Sequence, residues 1–388
     1  MDAKTVVERF LKINRTLGLV TGVWPYQNAR TKLIGRVWSL AIMFTCVLTQ
    51  TAYLVSFPNV DGAVNGMPYY IAAAGAFLKM GNYFMDEFKL KSMLNHIFND
   101  WAAVESKEEY DIMISYSRRG VLSMLGYLLH IFFPLICFTC FIPVPPLLDI
   151  FLPLNESRDR IFIYPAYYWV DNDRHYVPII AHMIIISYSA CCIYCACDTN
   201  YVYAVQHACA LLAVTKHRFK NANNNLPAHD TRFTERVKYK NVCHSIQAHQ
   251  RALKYLELIE NNHHTYLFIS MGMLITAVSV SLLKVASGDH ETQWIVHCSF
   301  SIALLFHIFV LTVQGQFVIN SLHEVYNAIC ESAWYKCSPK TQALYVLSLR
   351  SCLNPPLLTA GGMITLNLRS FAEIIKACVS YYTVMQTK

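Results

Sequence analysis

The chain has 388 residues, 55% of them hydrophobic and only 15% charged, with a mean hydropathy of +0.31. A water-soluble chain of this length carries more charge, so the composition points to a polytopic membrane protein. The net charge of +7 follows the alternation of the loops described below, which makes it an orientation signal and not a nucleic-acid footprint.

The first ten residues lack the apolar core and small-residue cleavage site of a signal peptide, so the N-terminus is expected to be retained. Stretches long enough to cross a bilayer then recur at 38–57, 67–85, 121–141, 178–201, 265–285, 294–319 and 364–385. Lys79 interrupts the second. The fold class expected is an all-α membrane protein with seven transmembrane helices.

Lys and Arg fix the direction. Residues 1–36 hold seven, residues 86–119 five, residues 216–254 nine and residues 323–369 four, which is 25 of the 32 in the chain. These segments alternate with the intervening loops, so they share the cytoplasmic side. The N-terminus is therefore cytoplasmic and, after seven crossings, the C-terminus extracellular. Asn155-Glu-Ser157 is a glycosylation sequon in a predicted outer loop. The outer loops contain no Cys although the chain has 14, so no extracellular disulfide framework is implied. The run Cys191-Cys-Ile-Tyr-Cys-Ala-Cys197 lies inside a predicted span, where Cys behaves as a small hydrophobe, and no metal site is expected there or at His263-His264. No cofactor-binding motif and no nucleophile–base arrangement is present, so no enzyme is expected.

Between the fourth and fifth spans, Val237, His244, Ala248, Leu253, Leu256 and Ile259 fit a helix, so both spans should extend well below the membrane. Residues 322–330 and 340–350 read as amphipathic helices. Ser338 is the expected N-cap of the second, with Pro339 at its first position. Asn354-Pro355-Pro356 and Gly361-Gly362 then form a connector into the last span. That span, 363–386, carries Asn367, Arg369, Glu373, Lys376, Ser380 and Thr383. Ionisable groups at membrane depth face protein or water, so this helix is expected to line a pore. Arg369–Glu373 and Glu373–Lys376 have pairing distance along a helix. Ala377, Tyr381, Val384, Thr387 and Lys388 fall on one stripe. Thr383, Gln386 and Thr387 would be polar surface near the outer mouth, and Lys388 there would repel cations.

The run Tyr335-Lys-Cys-Ser-Pro-Lys-Thr-Gln342, followed by Leu349-Arg350, Pro356, Leu358-Thr-Ala-Gly-Gly362 and Leu368-Arg-Ser-Phe371 through Ser380-Tyr-Tyr-Thr383, resembles the C-terminal signature of insect odorant receptors. Tyr164-Pro-Ala-Tyr-Tyr-Trp169 is similar to that family's second outer loop. The resemblance implies an odorant-binding subunit of a ligand-gated, non-selective cation channel for volatile, largely apolar ligands. It implies a heterotetramer with the odorant receptor co-receptor (Orco), which carries a longer second cytoplasmic loop than this chain, and placement in the plasma membrane of sensory neurons. Three regions follow: residues 1–322 with six spans and an odorant pocket, cytoplasmic anchor helices over 323–362, and a pore helix over 363–388. Val384 corresponds to the family's hydrophobic constriction, with Tyr381, Gln386 and Thr387 beside it.

The resemblance also places the ligand pocket in the outer halves of spans two to six. Ser123, Gly126 and His130 share a face of span three. Tyr70, Ala73, Ala74 and Phe77 on span two, and His182, Ile185, Tyr188 and Ser189 on span four, are the other candidates. His130 and His182 are expected to donate to an ester or carbonyl oxygen. A gustatory-type channel of the same superfamily is the nearest alternative. A G-protein-coupled receptor requires the opposite orientation, and a transporter requires inverted repeats that are not visible.

Overall fold

The computed structural model describes residues 1–152, 158, 160–223, 231–287 and 291–386. Asn155, Thr387 and Lys388 lie outside the described residues, and so does the side chain of Gln386. The elements are α1 (Ala3–Phe10), α2 (Lys12–Thr21), α3 (Ala29–Ser56), α4 (Val60–Met85), α5 (Glu87–Ala102), α6 (Lys107–Phe141), α7 (Val144–Phe151), α8 (Tyr176–Asn221), α9 (Thr231–Ser287), α10 (Glu291–Glu331), a 3-10 turn (Trp334–Lys336), α11 (Pro339–Leu353), β1 (Thr359–Ala360), β2 (Ile364–Thr365) and α12 (Leu368–Gln386). The seven predicted spans fall on α3, α4, α6, α8, α9, α10 and α12. By length and composition, α3, α6, α8, α9 and α10 are long and apolar enough to cross a membrane. The other two carry the charges noted above.

Local chemistry starts several of these helices. Asn59 accepts the Gly62 N–H at 2.8 Å to open α4. Ser106 accepts the Glu109 N–H at 3.1 Å to open α6. The Glu109 side chain does not return to the cap, because Arg218 of α8 holds both its carboxylate oxygens, at 2.6 and 2.9 Å.

α8 is the axis of the bundle. Every residue from Cys195 to Leu212 is buried, so all faces of this helix meet protein rather than lipid. α2, α3, α4, α6, α9 and α10 all pack on it. The N-terminal segment, placed on the cytoplasmic side from sequence, packs against this helix. Buried Asn14 of α2 donates to Thr199 and Asn200 of α8, both at 3.2 Å.

As expected, α8 and α9 extend far beyond a bilayer. The 57 residues of α9 run about 85 Å at helical rise. Its lower part packs against α11. There His249 lies 3.4 Å from the Ser351 hydroxyl. Pro339 does open α11, but Ser338 makes no side-chain cap. Its N–H is instead taken by the Glu235 carboxylate at 2.8 Å.

The last span differs from expectation at its start. Residues 364 and 365 are not helical: Ala360 pairs with Ile364 and Thr359 with Thr365 in a small antiparallel hairpin. Gly361 and Gly362 make its turn with φ of +68° and +72°, a conformation that favours glycine. Glu260 of α9 accepts the Thr359 N–H at 2.8 Å and also its hydroxyl. Gly315 lets α10 touch the Leu366 carbonyl, against which any Cβ would collide.

Two outcomes follow. Gly315→Ala should cost about 1–3 kcal/mol, because the obstacle is backbone, whereas Gly272→Ala, where a Cβ meets nothing within 4 Å, should leave melting of the purified protein unchanged. Burial holds the His249 imidazole down at about 4 from its usual 6.5. The unfolded chain therefore binds the extra proton between those values, and stability should fall as pH drops from 6.5 towards 4. His249→Gln should flatten that part of the melting-temperature profile.

Candidate functional site: a cavity in the outer half of the bundle

In the outer half of the bundle the helices surround a partly open cavity of about 830 Å³, within the range of small-molecule sites. Its walls come from α3, α4, α6, α8, α9, α10 and the outer loop at Ile163 and Tyr164. α10 contributes Val296, Phe300, Ala303 and His307, and α9 contributes Ser270, Leu274 and Ala277, each set at the spacing of one helical face. Tyr69 stacks on Phe300 with ring centroids 4.8 Å apart. The lining is mostly aliphatic and aromatic, with a few hydroxyl and imidazole groups.

Behind the lining residues Tyr194 and His307 lies a polar, tightly held cluster. Lys79 of α4 donates to Asp198 of α8 at 2.5 Å, and both side chains are at most 1% exposed. Tyr127 of α6 donates to the other Asp198 oxygen at 2.6 Å. That uses its only proton, so the Tyr127 oxygen accepts from His307 Nδ1 at 3.0 Å. The Lys79 ammonium also lies 5.1 Å from the Tyr194 ring and 5.4 Å from the Tyr266 ring. Tyr194 crosses α4 to donate to the Ala72 carbonyl at 2.9 Å. Only a glycine at 75 leaves room for its hydroxyl.

Of the residues singled out from sequence, Ala73 and His130 line this cavity. Tyr70, Ala74, Phe77, Ser123, Gly126, His182, Ile185, Tyr188 and Ser189 are not among its lining residues. On α4 and α8 the lining residues are mostly immediate neighbours: Tyr69, Ile71, Ala72 and Gly75, and Ile186, Ser187, Ala190, Cys191 and Tyr194. Ile185 is turned outward and 45% exposed. Both rings of interest are already engaged. His130 Nε2 lies 3.1 Å from the Ala303 carbonyl, which can only accept. That nitrogen therefore carries the proton, and Nδ1 is left as an acceptor. His182 lies between Thr45 at 3.2 Å and Tyr168 at 2.9 Å, where it ties the outer loop to α3. The cavity faces of α9 and α10 were missed from sequence. Their signal was the repeat of small and aromatic residues at 270, 274, 277 and at 296, 300, 303, 307.

On α12, Ile374 and Cys378 are buried, while Tyr381 and Val384 are 58% and 54% exposed. Arg369 reaches Glu373 at 3.0 Å, and Lys376 makes no ion pair among the described residues. All the cysteines are free. No group of three or more potential metal ligands occurs among the described residues.

The model of the 7tm odorant receptor family matches residues 59–379. The chain belongs to that family. It is 21% identical to Odorant receptor 9a of Drosophila melanogaster over 213 residues, covering 55% of this chain and 52% of that protein. It is 19% identical to Odorant receptor Or1 of Anopheles gambiae over 399 residues, covering 94% and 92%. The matched region thus spans about half of the first relative and nearly all of the second. Among solved structures, the insect olfactory receptor OR5 from Machilis hrabei, in complex with eugenol, superposes with a TM-score of 0.79 at 13% identity over the whole of both chains. The seven-helix olfactory receptor fold and a multi-pass membrane location follow. This is a receptor and channel family and not an enzyme family.

In this odorant receptor the Lys79–Asp198 pair should behave as a buried ion pair. Lys79→Met alone should destabilise the protein by about 3–5 kcal/mol, because Asp198 is left unpaired. Lys79→Met with Asp198→Asn should recover most of that loss. Thermal melting of the purified variants measures both.

Proposed function

We propose that this chain is the odorant-binding subunit of an odorant-gated, non-selective cation channel. The observation that carries the reading is the mostly apolar cavity of about 830 Å³ in a chain of this family. Such a space suits a volatile, largely hydrophobic ligand held by shape and a few polar contacts. A structure with the same fold was solved with eugenol, which supports a small organic ligand here. The cation path is assigned to α12, with Val384 and Tyr381 towards its outer end and Gln386 and Thr387 beyond. A ring of apolar side chains at Val384 would gate by dewetting. Residues 323–362 are assigned to subunit anchoring and the odorant receptor co-receptor is the proposed partner in a heterotetramer. No catalytic step is assigned to the chain. The family match favours the odorant reading over a gustatory one.

Cells expressing the chain with the co-receptor should give inward cation current to members of an odorant panel. Ala303→Trp, which fills the cavity, should raise the half-maximal concentration for an active odorant about tenfold or more, at unchanged surface expression. Val384→Ser should raise current without odorant. Absence of odorant-evoked current in the presence of the co-receptor, or full sensitivity in Ala303→Trp, would overturn the assignment.

A further inference from the structure

α6 carries a second feature, at its lower end and apart from the odorant cavity. Leu122, Leu125, Leu129, Phe133 and Ile136 are all exposed and spaced as one helical face. Continuing that face downwards, the next positions are Arg118 and Ser115, both exposed. The change from apolar to basic within one turn marks the cytoplasmic edge of the bilayer. Beside it lies a groove of about 530 Å³ lined by Arg9 of α1 and by Tyr110, Asp111, Ser115, Arg118, Arg119 and Leu122 of α6.

Three guanidinium groups and one carboxylate line this groove, which leaves a net charge of +2. Arg9, Arg118 and Arg119 form no ion pair among the described residues, and Glu109, earlier on the same helix as Arg118, is paired with Arg218. Arg119 is held in place, its guanidinium 3.9 Å from the centre of the Phe317 ring on α10. Stacked in this way it keeps its edge N–H groups for an oxygen acceptor. Lys or Arg placed only to orient the chain needs no concave site and no convergence of two helices.

We propose that this groove binds the phosphorylated headgroup of an anionic lipid of the cytoplasmic leaflet, a phosphoinositide, whose acyl chains lie along the apolar stripe of α6. Guanidinium forks match phosphate oxygens in bidentate geometry. A phosphomonoester projecting below the membrane plane carries the charge that the groove lacks. Basic pockets at this level between membrane helices are suited to such headgroups. The inference rests on the orientation of the chain and not on the odorant reading.

The test uses the full chain purified in detergent and titrated with dioctanoyl phosphatidylinositol bisphosphate, phosphatidylserine and phosphatidylcholine, and with free inositol trisphosphate. Phosphoinositide binding should be saturable and at least tenfold tighter than that of the other two lipids. Inositol trisphosphate should bind more weakly than the lipid, because it lacks the chains. Arg9→Gln with Arg118→Gln should weaken phosphoinositide binding about 30-fold, while Lys336→Gln with Lys340→Gln, which removes equal charge elsewhere, should not. Both arginines are exposed, so elution and melting should be unchanged; if the double variant misfolds, Arg118→Gln alone supplies the comparison. Equal binding of phosphatidylserine, equal binding of the free headgroup, or wild-type affinity in the arginine variants would each overturn the proposal.

Discussion

The Lys79–Asp198 ion pair is the constraint on which the rest of the bundle depends. An unpaired charge at that depth would cost several kcal/mol. The structure removes the cost by collecting partners from five helices. Lys79 comes from α4, Asp198 and Tyr194 from α8, Tyr127 from α6, Tyr266 from α9 and His307 from α10. Five helices are thereby fixed in depth and rotation at one level. An apolar contact at the same place would allow a helix to slide by a turn, whereas a buried ion pair with directional hydrogen bonds does not. Tyr194 and His307 of this cluster also line the cavity above it.

The same device repeats down α8. Gln206 donates to Gln314 of α10 at 3.0 Å. His207 lies 2.9 Å from Asp100 of α5, which Arg251 of α9 also contacts at 2.9 Å. Arg218 and Glu109 close the series. A helix buried on all sides has no amphipathic face to set its rotation, so these polar ties supply it.

This also shows what the sequence could and could not reveal. The spans, their direction and the long cytoplasmic helices were legible, because each rests on hydropathy or on the placement of Lys and Arg. Lys79 read as a flaw in span two. It is the only basic residue in that span, and Asp198 is the only acidic one in span four. Pairing those two would have given a true contact between the spans. The rotations of α4 and α8 were not legible, because their polar residues are buried among the other helices and mark no solvent face. The cavity faces shifted by a residue for that reason, from Tyr70 to Tyr69 and from Ile185 to Ile186. The hairpin before α12 was hidden because its strands are only two residues long and are anchored by Glu260, a hundred residues earlier.

The cavity and α12 are joined through shared turns of two helices. On α9, Leu274 faces the cavity, and the carbonyl of the next residue, Ile275, lies 3.9 Å from Cys378 Sγ of α12. On α10, His307 faces the cavity, and Phe309 packs edge-on against Phe371 of α12 with ring centroids 5.4 Å apart. These two walls of the cavity are thus also supports of α12, through one thickness of helix. The base of α12 is clipped by Gly315 against Leu366 and by Glu260 against Thr359. Its outer end at Tyr381 and Val384 stands exposed from the single chain. A helix fixed below and supported midway can move most at its tip. In the proposed channel a ligand shifts that tip only by preferring one spacing of α9 and α10 over another. Tight binding that fits both spacings equally would leave the pore where it was.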